Sequence, residues 1–206
     1  MEQKVGVQTH LDWKTSVLTV VSTLLILIGY YQSFTPWKFL DRFILFLLIP
    51  LAVIVFVFRE SPAVYGFRLG NWRLGLMITL GTCVVLTPLI WFAINLDGSL
   101  KNYYQGMYDG SLVWPVMLEL IGWEFLFRGW LLFGYARLYG MNAIWLQAVP
   151  FALSHISKPE LETLTTIFGG FGFGWLSWKT GSFLYAFLIH WYVMSFTVLV
   201  ASGVFG

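Results

Sequence analysis

The chain has 206 residues, of which 58% are hydrophobic and only 11% are charged, with a formal net charge of +2. Soluble globular domains carry about 25% charged residues, so a chain of this composition cannot enclose its own apolar surface and needs lipid around it. The small, scattered net charge excludes nucleic acid as a partner. The single cysteine, Cys83, excludes an intrachain disulfide and a cysteine-based zinc cluster.

Seven long apolar runs follow one another along the chain. They cover about Ser16 to Tyr31, Phe43 to Phe58, Leu74 to Asn95, Ser111 to Arg137, Asn142 to Ile156, Leu161 to Trp178 and Ser182 to Val204. The runs are continuous rather than alternating, and backbone polar groups in lipid must pair within their own segment, so we expect helices. The sequence therefore predicts an all-α fold, a polytopic transmembrane helix bundle of about seven spans, with residues 1–206 as a single transmembrane domain.

Lysine and arginine residues near the ends of the runs predict the orientation of the bundle. With the N-terminus in the cytoplasm, seven basic residues lie inside and four lie outside. The inside set is Lys4, Lys14, Arg59, Arg68, Arg73, Arg137 and Lys179, and the outside set is Lys38, Arg42, Lys101 and Lys158. Glu2 and Asp12, with no small-residue cleavage site after the first run, indicate a retained span rather than a signal peptide. We expect a multi-pass protein of the cell membrane with a cytoplasmic N-terminus.

Ionisable side chains interrupt three of the apolar runs, where charges are costly and usually functional. The fourth run holds Glu119, Glu124 and Arg128, and a spacing of four residues lets the last two pair on one helix face. The fifth and seventh runs hold His155 and His190. At about 1.5 Å per residue, Glu124 and His155 lie roughly 20 Å and His190 roughly 12 Å from the cytoplasmic end. The carboxylate of Glu124 and the two imidazoles are therefore expected to converge on one cavity.

One carboxylate and two imidazoles inside a membrane suit several functions. Hydrolysis of a peptide bond needs a base for water and donors for the oxyanion. Glu124, His155 and His190 also match the ligand count of a divalent metal site such as zinc. A purely structural Glu124–Arg128 pair with two core histidines would use the same residues. A transporter should show inverted halves, and none are apparent, whereas a haem protein could use the two histidines as axial ligands without needing the pair.

Three motifs in the C-terminal half resemble the CPBP family, which contains CAAX prenyl endopeptidases, bacteriocin-processing enzymes and related membrane proteases. The family motifs read Glu-Glu-x-x-x-Arg-Gly, Phe-x-x-x-His and His-x-x-x-Asn, in that order. Their counterparts here are Trp123-Glu124-Phe125-Leu126-Phe127-Arg128-Gly129, Phe151-Ala152-Leu153-Ser154-His155 and His190-Trp191-Tyr192-Val193-Met194. The similarity covers about Leu118 to Met194, and we expect residues 112–204 to carry the protease-like core.

The resemblance implies a membrane-embedded endopeptidase that acts on a peptide or protein substrate in the lipid bilayer. By the same resemblance, Glu124 would brace Arg128. We expect Glu124 also to serve as the base, His155 to orient and polarise the water, and His190 to stabilise the oxyanion.

Two motif positions differ from the family pattern. Trp123 replaces the leading glutamate, which the family uses as the water-activating base, and Met194 replaces the asparagine that helps to stabilise the oxyanion. Neither replacement can perform that chemistry. Three hypotheses therefore remain: Glu124 is the base, Glu119 one turn earlier is the base, or the protein is an inactive pseudoprotease that binds peptides or membrane partners.

Overall fold

The computed structural model describes residues 12–107 and 113–205. Within these two segments the chain is entirely helical, with seven long helices and one short one. They are α1 (Trp13–Tyr31), α2 (Lys38–Val57), α3 (Trp72–Leu96), α4 (Gly98–Gln105), α5 (residues 113–139), α6 (Ala143–Leu153), α7 (Glu160–Thr180) and α8 (Leu184–Ala201). Two single 3₁₀ turns, Pro62–Tyr65 and Gly140–Asn142, lie in the connections.

Four of these helices, α1, α2, α3 and α8, are long and apolar enough to cross a membrane. Their outward side chains are apolar and exposed, as Leu80 and Val84 show on α3. Such a surface is stable only against lipid. The predicted multi-pass, all-α bundle is therefore confirmed, with one long helix for each of the seven predicted runs.

The helix ends differ from the predicted ends at a few places. Helix α2 begins at Lys38, five residues before the predicted run. Helix α6 ends at Leu153, and the N–H of His155 donates to the carbonyl of Ala152 at 3.0 Å, three residues back, so the chain tightens into turns before α7. Ser111, the first residue of the predicted fourth run, lies outside the described residues.

The short helix α4 lies between the third and fourth predicted runs, where no helix is predicted from the sequence. Its first turn is capped by Asp97, whose Oδ1 accepts from the backbone N–H groups of Ser99 at 2.8 Å and Leu100 at 3.4 Å. A capping aspartate satisfies N–H groups that have no partner within the helix. A helix of eight residues is too short to show a clear helical periodicity of apolar residues in the sequence. The capping residue Asp97 is the feature of the sequence that indicates this helix.

Helix α5 lies at the centre of the bundle and positions the candidate site. Its middle, Phe125–Leu131, is π-helical, and every residue of that stretch is buried. On one side Trp130 stacks on Phe58 with ring centroids 5.4 Å apart, and its indole N–H donates to the hydroxyl of Ser22 at 2.8 Å. The helix is therefore enclosed by protein where it carries its charged residues.

Five basic residues in the described part of the chain lie near opposite ends of α5. Near its C-terminal end, Lys14 and Arg137 both pair with Glu60, which follows α2. Near its N-terminal end, Lys38, Arg42 and Lys158 line one cavity. This separation agrees with the two predicted sets of basic residues, and a cytoplasmic N-terminus stays a prediction.

Candidate functional site

Glu124 forms the centre of a buried polar cluster between α5 and α8. Its side chain is completely enclosed, and its Oε1 accepts a hydrogen bond from Nη1 of Arg128 at 3.1 Å. The same oxygen lies 2.6 Å from Nδ1 of His190. The Glu124–Arg128 pair that the i,i+4 spacing predicts thus exists. It forms although the helix changes from α to π geometry after Glu124. The structure adds His190 as a second partner on the same oxygen.

The guanidinium group of Arg128 is held by aromatic rings as well as by charge. It lies 3.7 Å from the ring centroid of Phe151 on α6 and 5.1 Å from that of Phe173 on α7. A planar cation over an aromatic face is attracted by the ring quadrupole, more strongly when both are desolvated. Arg128 therefore links α5, α6 and α7 around the carboxylate.

The hydrogen bonds to Nδ1 indicate the tautomer of both histidines. Nδ1 of His155 lies 2.8 Å from the carbonyl oxygen of Phe151, which can only accept, so this nitrogen carries the proton. An ionised Glu124 likewise accepts, and Nδ1 of His190 then donates to it. In each neutral ring the remaining nitrogen, Nε2, carries a lone pair. Within the described part of the chain, neither Nε2 forms a hydrogen bond.

Both histidines border two adjoining cavities. The first, called here the polar cavity, has a volume of about 280 Å³ and is lined by Lys38, Arg42, Glu119 and Trp123 among others. The second, called here the apolar cavity, has a volume of about 430 Å³ and lies between α3, α7 and α8. His155, Lys158, His190 and Met194 line both. The imidazoles therefore stand where a polar and an apolar space meet.

The structure brings together most of the residues that the sequence singles out, but in unequal positions. His155 and His190 line the cavities, and the ring of Phe151 contacts both, with centroids 4.6 and 6.1 Å away. Glu119 also lines the polar cavity. Glu124 lines neither cavity, because its carboxylate is enclosed behind His190 and Arg128.

The two residues that depart from the family motifs both face the polar cavity. The indole of Trp123 lies edge-on to His155 with ring centroids 5.9 Å apart, and Met194 forms part of the wall near His190. The sequence interpretation missed Arg42, Lys38 and Lys158 as cavity residues. Lys158 follows His155 by three residues and could have been found from that spacing, whereas Arg42 is distant in sequence and carries no local signal.

The residues around the cavity do not fit the divalent metal site that the ligand count of Glu124, His155 and His190 leaves open. Among the described residues, no three His, Cys, Asp or Glu side chains are grouped so that they could hold an ion. Nδ1 of His190 and Oε1 of Glu124 are bound to each other, and the carboxylate is enclosed. A catalytic zinc site needs about three protein ligands that converge on one point. We therefore derive no step through a metal.

Comparison with known proteins supports the resemblance seen in the motifs. Residues 109–196 match the model of a family described as type II CAAX prenyl endopeptidase Rce1-like. Neither the curated proteins nor the solved structures contain a match to the chain. The matched region includes all three motifs and most of the long helices that carry them. Residues 109–196 are therefore similar to the Rce1-like type II CAAX prenyl endopeptidases, in agreement with the CPBP resemblance of the motifs.

Proposed function

We propose that this protein is an intramembrane endopeptidase in which His190 activates water and Glu124 acts through His190. The observation that carries the proposal is the 2.6 Å contact between Oε1 of Glu124 and Nδ1 of His190. A carboxylate in this position fixes the tautomer of an imidazole and stabilises its protonated form, as the third member of a catalytic triad does. This arrangement leaves Nε2 of His190 as the base.

In the proposed reaction, all proton transfers take place between water, the peptide and the side chains of the protein. A water in the cavity gives a proton to Nε2 of His190 while its oxygen forms a bond to the carbonyl carbon of the peptide. The resulting imidazolium is stabilised by Glu124 and returns the proton to the peptide nitrogen as the C–N bond breaks. The products are a carboxylic acid and an amine, and a proton passes from the acid to the amine to give a carboxylate and an ammonium group. Nε2 of His155 accepts a hydrogen bond from the second O–H of the water and orients it.

The oxyanion of this reaction would face a cationic wall. Lys158 pairs with Glu162, but Lys38 and Arg42 line the polar cavity with no ion pair in the described part of the chain. Positive charge in a site shielded from bulk water stabilises a developing negative charge. This charge would take over from the asparagine that Met194 replaces. The role of His190 as base differs from the sequence expectation, which gives it the oxyanion, because Glu124 is too enclosed to contact water itself.

The cavities suit a peptide that carries a lipid chain. The apolar cavity lies between α3, α7 and α8 and would accept the chain, while the polar cavity would accept the peptide, and the two meet at His155 and His190. The family name refers to prenylated CAAX peptides, so a prenylated peptide is the substrate of choice for a first assay.

A second candidate function, peptide binding without cleavage, is favoured by the position of Trp123. Its indole stands edge-on to His155, in a motif position where the family carries a base. A third possibility for the chemistry is Glu119 as the base, since its carboxylate lines the same cavity as the two histidines. Both alternatives give outcomes different from those expected for a Glu124–His190 pair.

The test is cleavage of a prenylated peptide by purified protein in lipid nanodiscs. Glu124→Gln keeps the size of the side chain but no longer fixes the imidazole tautomer, and we expect a loss of about 10³–10⁴-fold in kcat. His190→Ala should lose as much and leaves the Glu124–Arg128 pair in place, so it separates chemistry from folding. Glu119→Gln is the control and should keep most of the activity.

Three outcomes would contradict the proposal. If Glu119→Gln abolishes cleavage while Glu124→Gln does not, Glu119 is the base. If His190→Ala cleaves as fast as the wild type, the base lies elsewhere. If the wild-type protein binds the peptide and never cleaves it, the protein is a pseudoprotease.

A further inference from the structure

Arg42 is a charged residue of the polar cavity that the proposed reaction does not need as a proton donor or acceptor. It lies on α2, outside the family match, and its guanidinium group enters the cavity beside Trp123. The guanidinium carbon is 4.8 Å from the ring centroid of Trp123 and 5.3 Å from that of Phe46. The side chain that replaces the family glutamate thus serves as a platform for a cation.

Arg42 is attracted by the carboxylate of Glu119, which lines the same cavity, but no carboxylate of the described residues contacts it. It forms no ion pair there, and its Nε is buried without a hydrogen bond. A guanidinium group offers five N–H donors in a rigid, planar fork that matches a carboxylate in a bidentate manner. A desolvated donor without a partner costs free energy. A ligand that supplies an anion would remove this cost.

The backbone around Arg42 is fixed by a close approach of α2 to α5. Gly122 lies opposite this point, and a Cβ there would stand 2.9 Å from the carbonyl oxygen of Arg42 and 3.3 Å from Cα of Phe43. The absence of a side chain at Gly122 lets the two helices come together. The stacked guanidinium group is therefore positioned before any ligand arrives, which lowers the cost of binding.

The charges around the polar cavity leave a surplus of positive charge. Lys38, Arg42 and Lys158 line it, and Glu119 is the one carboxylate among its described lining residues. Lys158 is neutralised by Glu162 at 2.7 Å. Arg42 and Lys38 together thus exceed the charge of Glu119 by one. A glutamate at position 123, as in the family pattern, would cancel this surplus, whereas the neutral Trp123 leaves it in place.

We propose that Arg42, stacked on Trp123, binds a carboxylate group of the peptide substrate in the polar cavity. The proposal deepens the proposed function, on which it rests, by naming a chemical feature of the substrate. The carboxylate has two sources in a peptide, an acidic side chain near the scissile bond or the free C-terminus. Both supply the same planar anion, and the test below separates them.

The experiment measures binding, so that it does not depend on cleavage. Fluorescent prenylated peptides are titrated into the His190→Ala protein in nanodiscs of neutral phosphatidylcholine. One pair of peptides differs by Glu or Gln next to the scissile bond, and a second pair differs by a free or an amidated C-terminus. We expect one of the two changes to weaken binding by 10-fold or more, and that pair identifies the source of the carboxylate.

Arg42→Gln in the same protein should abolish the preference for the acidic member of that pair. Arg42→Lys should restore part of it, because a lysine keeps the charge but not the bidentate, stacked geometry. Lys101→Gln is the matched control: Lys101 is an exposed cation on α4, outside the lining of the polar cavity, and this variant should keep the full preference.

Several results would overturn this inference. They are equal binding of both members of both pairs, no binding of any peptide, or an equal weakening of acidic and neutral peptides by Arg42→Gln. If Arg42→Gln weakens the binding of an anionic lipid added to the nanodiscs and leaves the binding of peptides unchanged, Arg42 binds a lipid headgroup instead. If the wild type cleaves peptides but Arg42→Gln keeps the preference, only this inference fails. If the preference depends on Arg42 and no peptide is cleaved, only the proposed protease activity fails.

Discussion

Two glutamates in this bundle each hold cations around a single carboxylate, and they differ in how complete their hydrogen bonding is. Glu60 lies after α2, with its side chain 22% exposed. Its Oε1 accepts from Lys14 at 2.6 Å and Arg137 at 2.9 Å, and its Oε2 accepts from Arg137 at 2.6 Å and Tyr65 at 2.8 Å. Both oxygens of Glu60 are used in contacts that join α1, α5 and the loop after α2.

Glu124 has the opposite character. It is fully enclosed, yet its Oε2 has no partner among the described residues, and neither do Nε and Nη2 of Arg128. Buried polar atoms without partners are costly, and native proteins keep few of them. A complete cluster at the bundle end indicates a structural role, whereas an incomplete one in the interior beside two histidines indicates a site that works on a ligand.

The largest expected difference between the two clusters comes from removing one arginine from each. Arg128→Ala leaves a buried carboxylate without its cation, which typically costs about 3–5 kcal/mol. Arg137→Ala removes a partly exposed partner, and such pairs contribute about 1 kcal/mol or less. The yield of folded protein and the midpoint of thermal unfolding in detergent measure both effects. Equal shifts in the two variants would contradict the distinction between the clusters.

Acid should weaken the Glu60 cluster over a defined range of pH. The hydrogen bonds from Arg137, with those from Lys14 and Tyr65, lower the pKa of Glu60 from 4.5 to about 2. A lowered pKa means that the ionised carboxylate stabilises the fold above pH 4.5, and that this contribution is lost as the pH falls through about 2. Thermal unfolding between pH 5 and 2 measures the loss, and Glu60→Gln should flatten this part of the profile. An unchanged profile in that variant would assign the acid sensitivity to other groups.

Tyr65→Phe should give the smallest effect. It removes one of the four hydrogen bonds to Glu60, whereas Arg137→Ala removes two, and we expect a loss of about 0.5 kcal/mol, the lower limit for a single hydrogen bond, because the carboxylate is partly exposed. The ring of Tyr65 also stacks on Trp130 at 5.8 Å, and phenylalanine keeps that contact. The midpoint of thermal unfolding should therefore fall slightly, with no change in peptide cleavage. A fall as large as that of Arg128→Ala would show that the hydroxyl supports more than this one contact.

The sequence predicts the helices well because each is a continuous apolar run bounded by polar residues. It also predicts the Glu124–Arg128 pair, since residues four apart share a helix face whatever surrounds them. The approach of His190 to Glu124 follows from the family-like motifs and from similar depth in the bilayer. Local spacing is enough for the helices and for the Glu124–Arg128 pair, whereas the approach of His190 also needs the motifs and the depth.

The remaining features depend on how distant helices pack. No property of residues 38–57 indicates that Arg42 reaches Trp123, because that contact depends on the close approach at Gly122. The enclosure of Glu124 depends likewise on Phe151 and Phe173, which come from two other helices and pack around Arg128. A single sequence gives the chemistry of such side chains but not which of them faces a cavity.

The π-helical stretch Phe125–Leu131 has a consequence for how this site could change through insertion or deletion. A π-turn skips five residues instead of four, and so corresponds to one additional residue within an α-helix. Deleting a single residue there would restore α-helical turns and leave the part of α5 before the stretch at nearly the same angle to the part after it, because the π-turn already absorbs the additional residue. Deleting a residue from an α-helical part of α5 would instead rotate the two parts by about 100° relative to each other. The π-helical stretch is therefore the place in α5 where one codon can be lost while Glu119, Trp123 and Glu124 keep their direction relative to the second half of the helix.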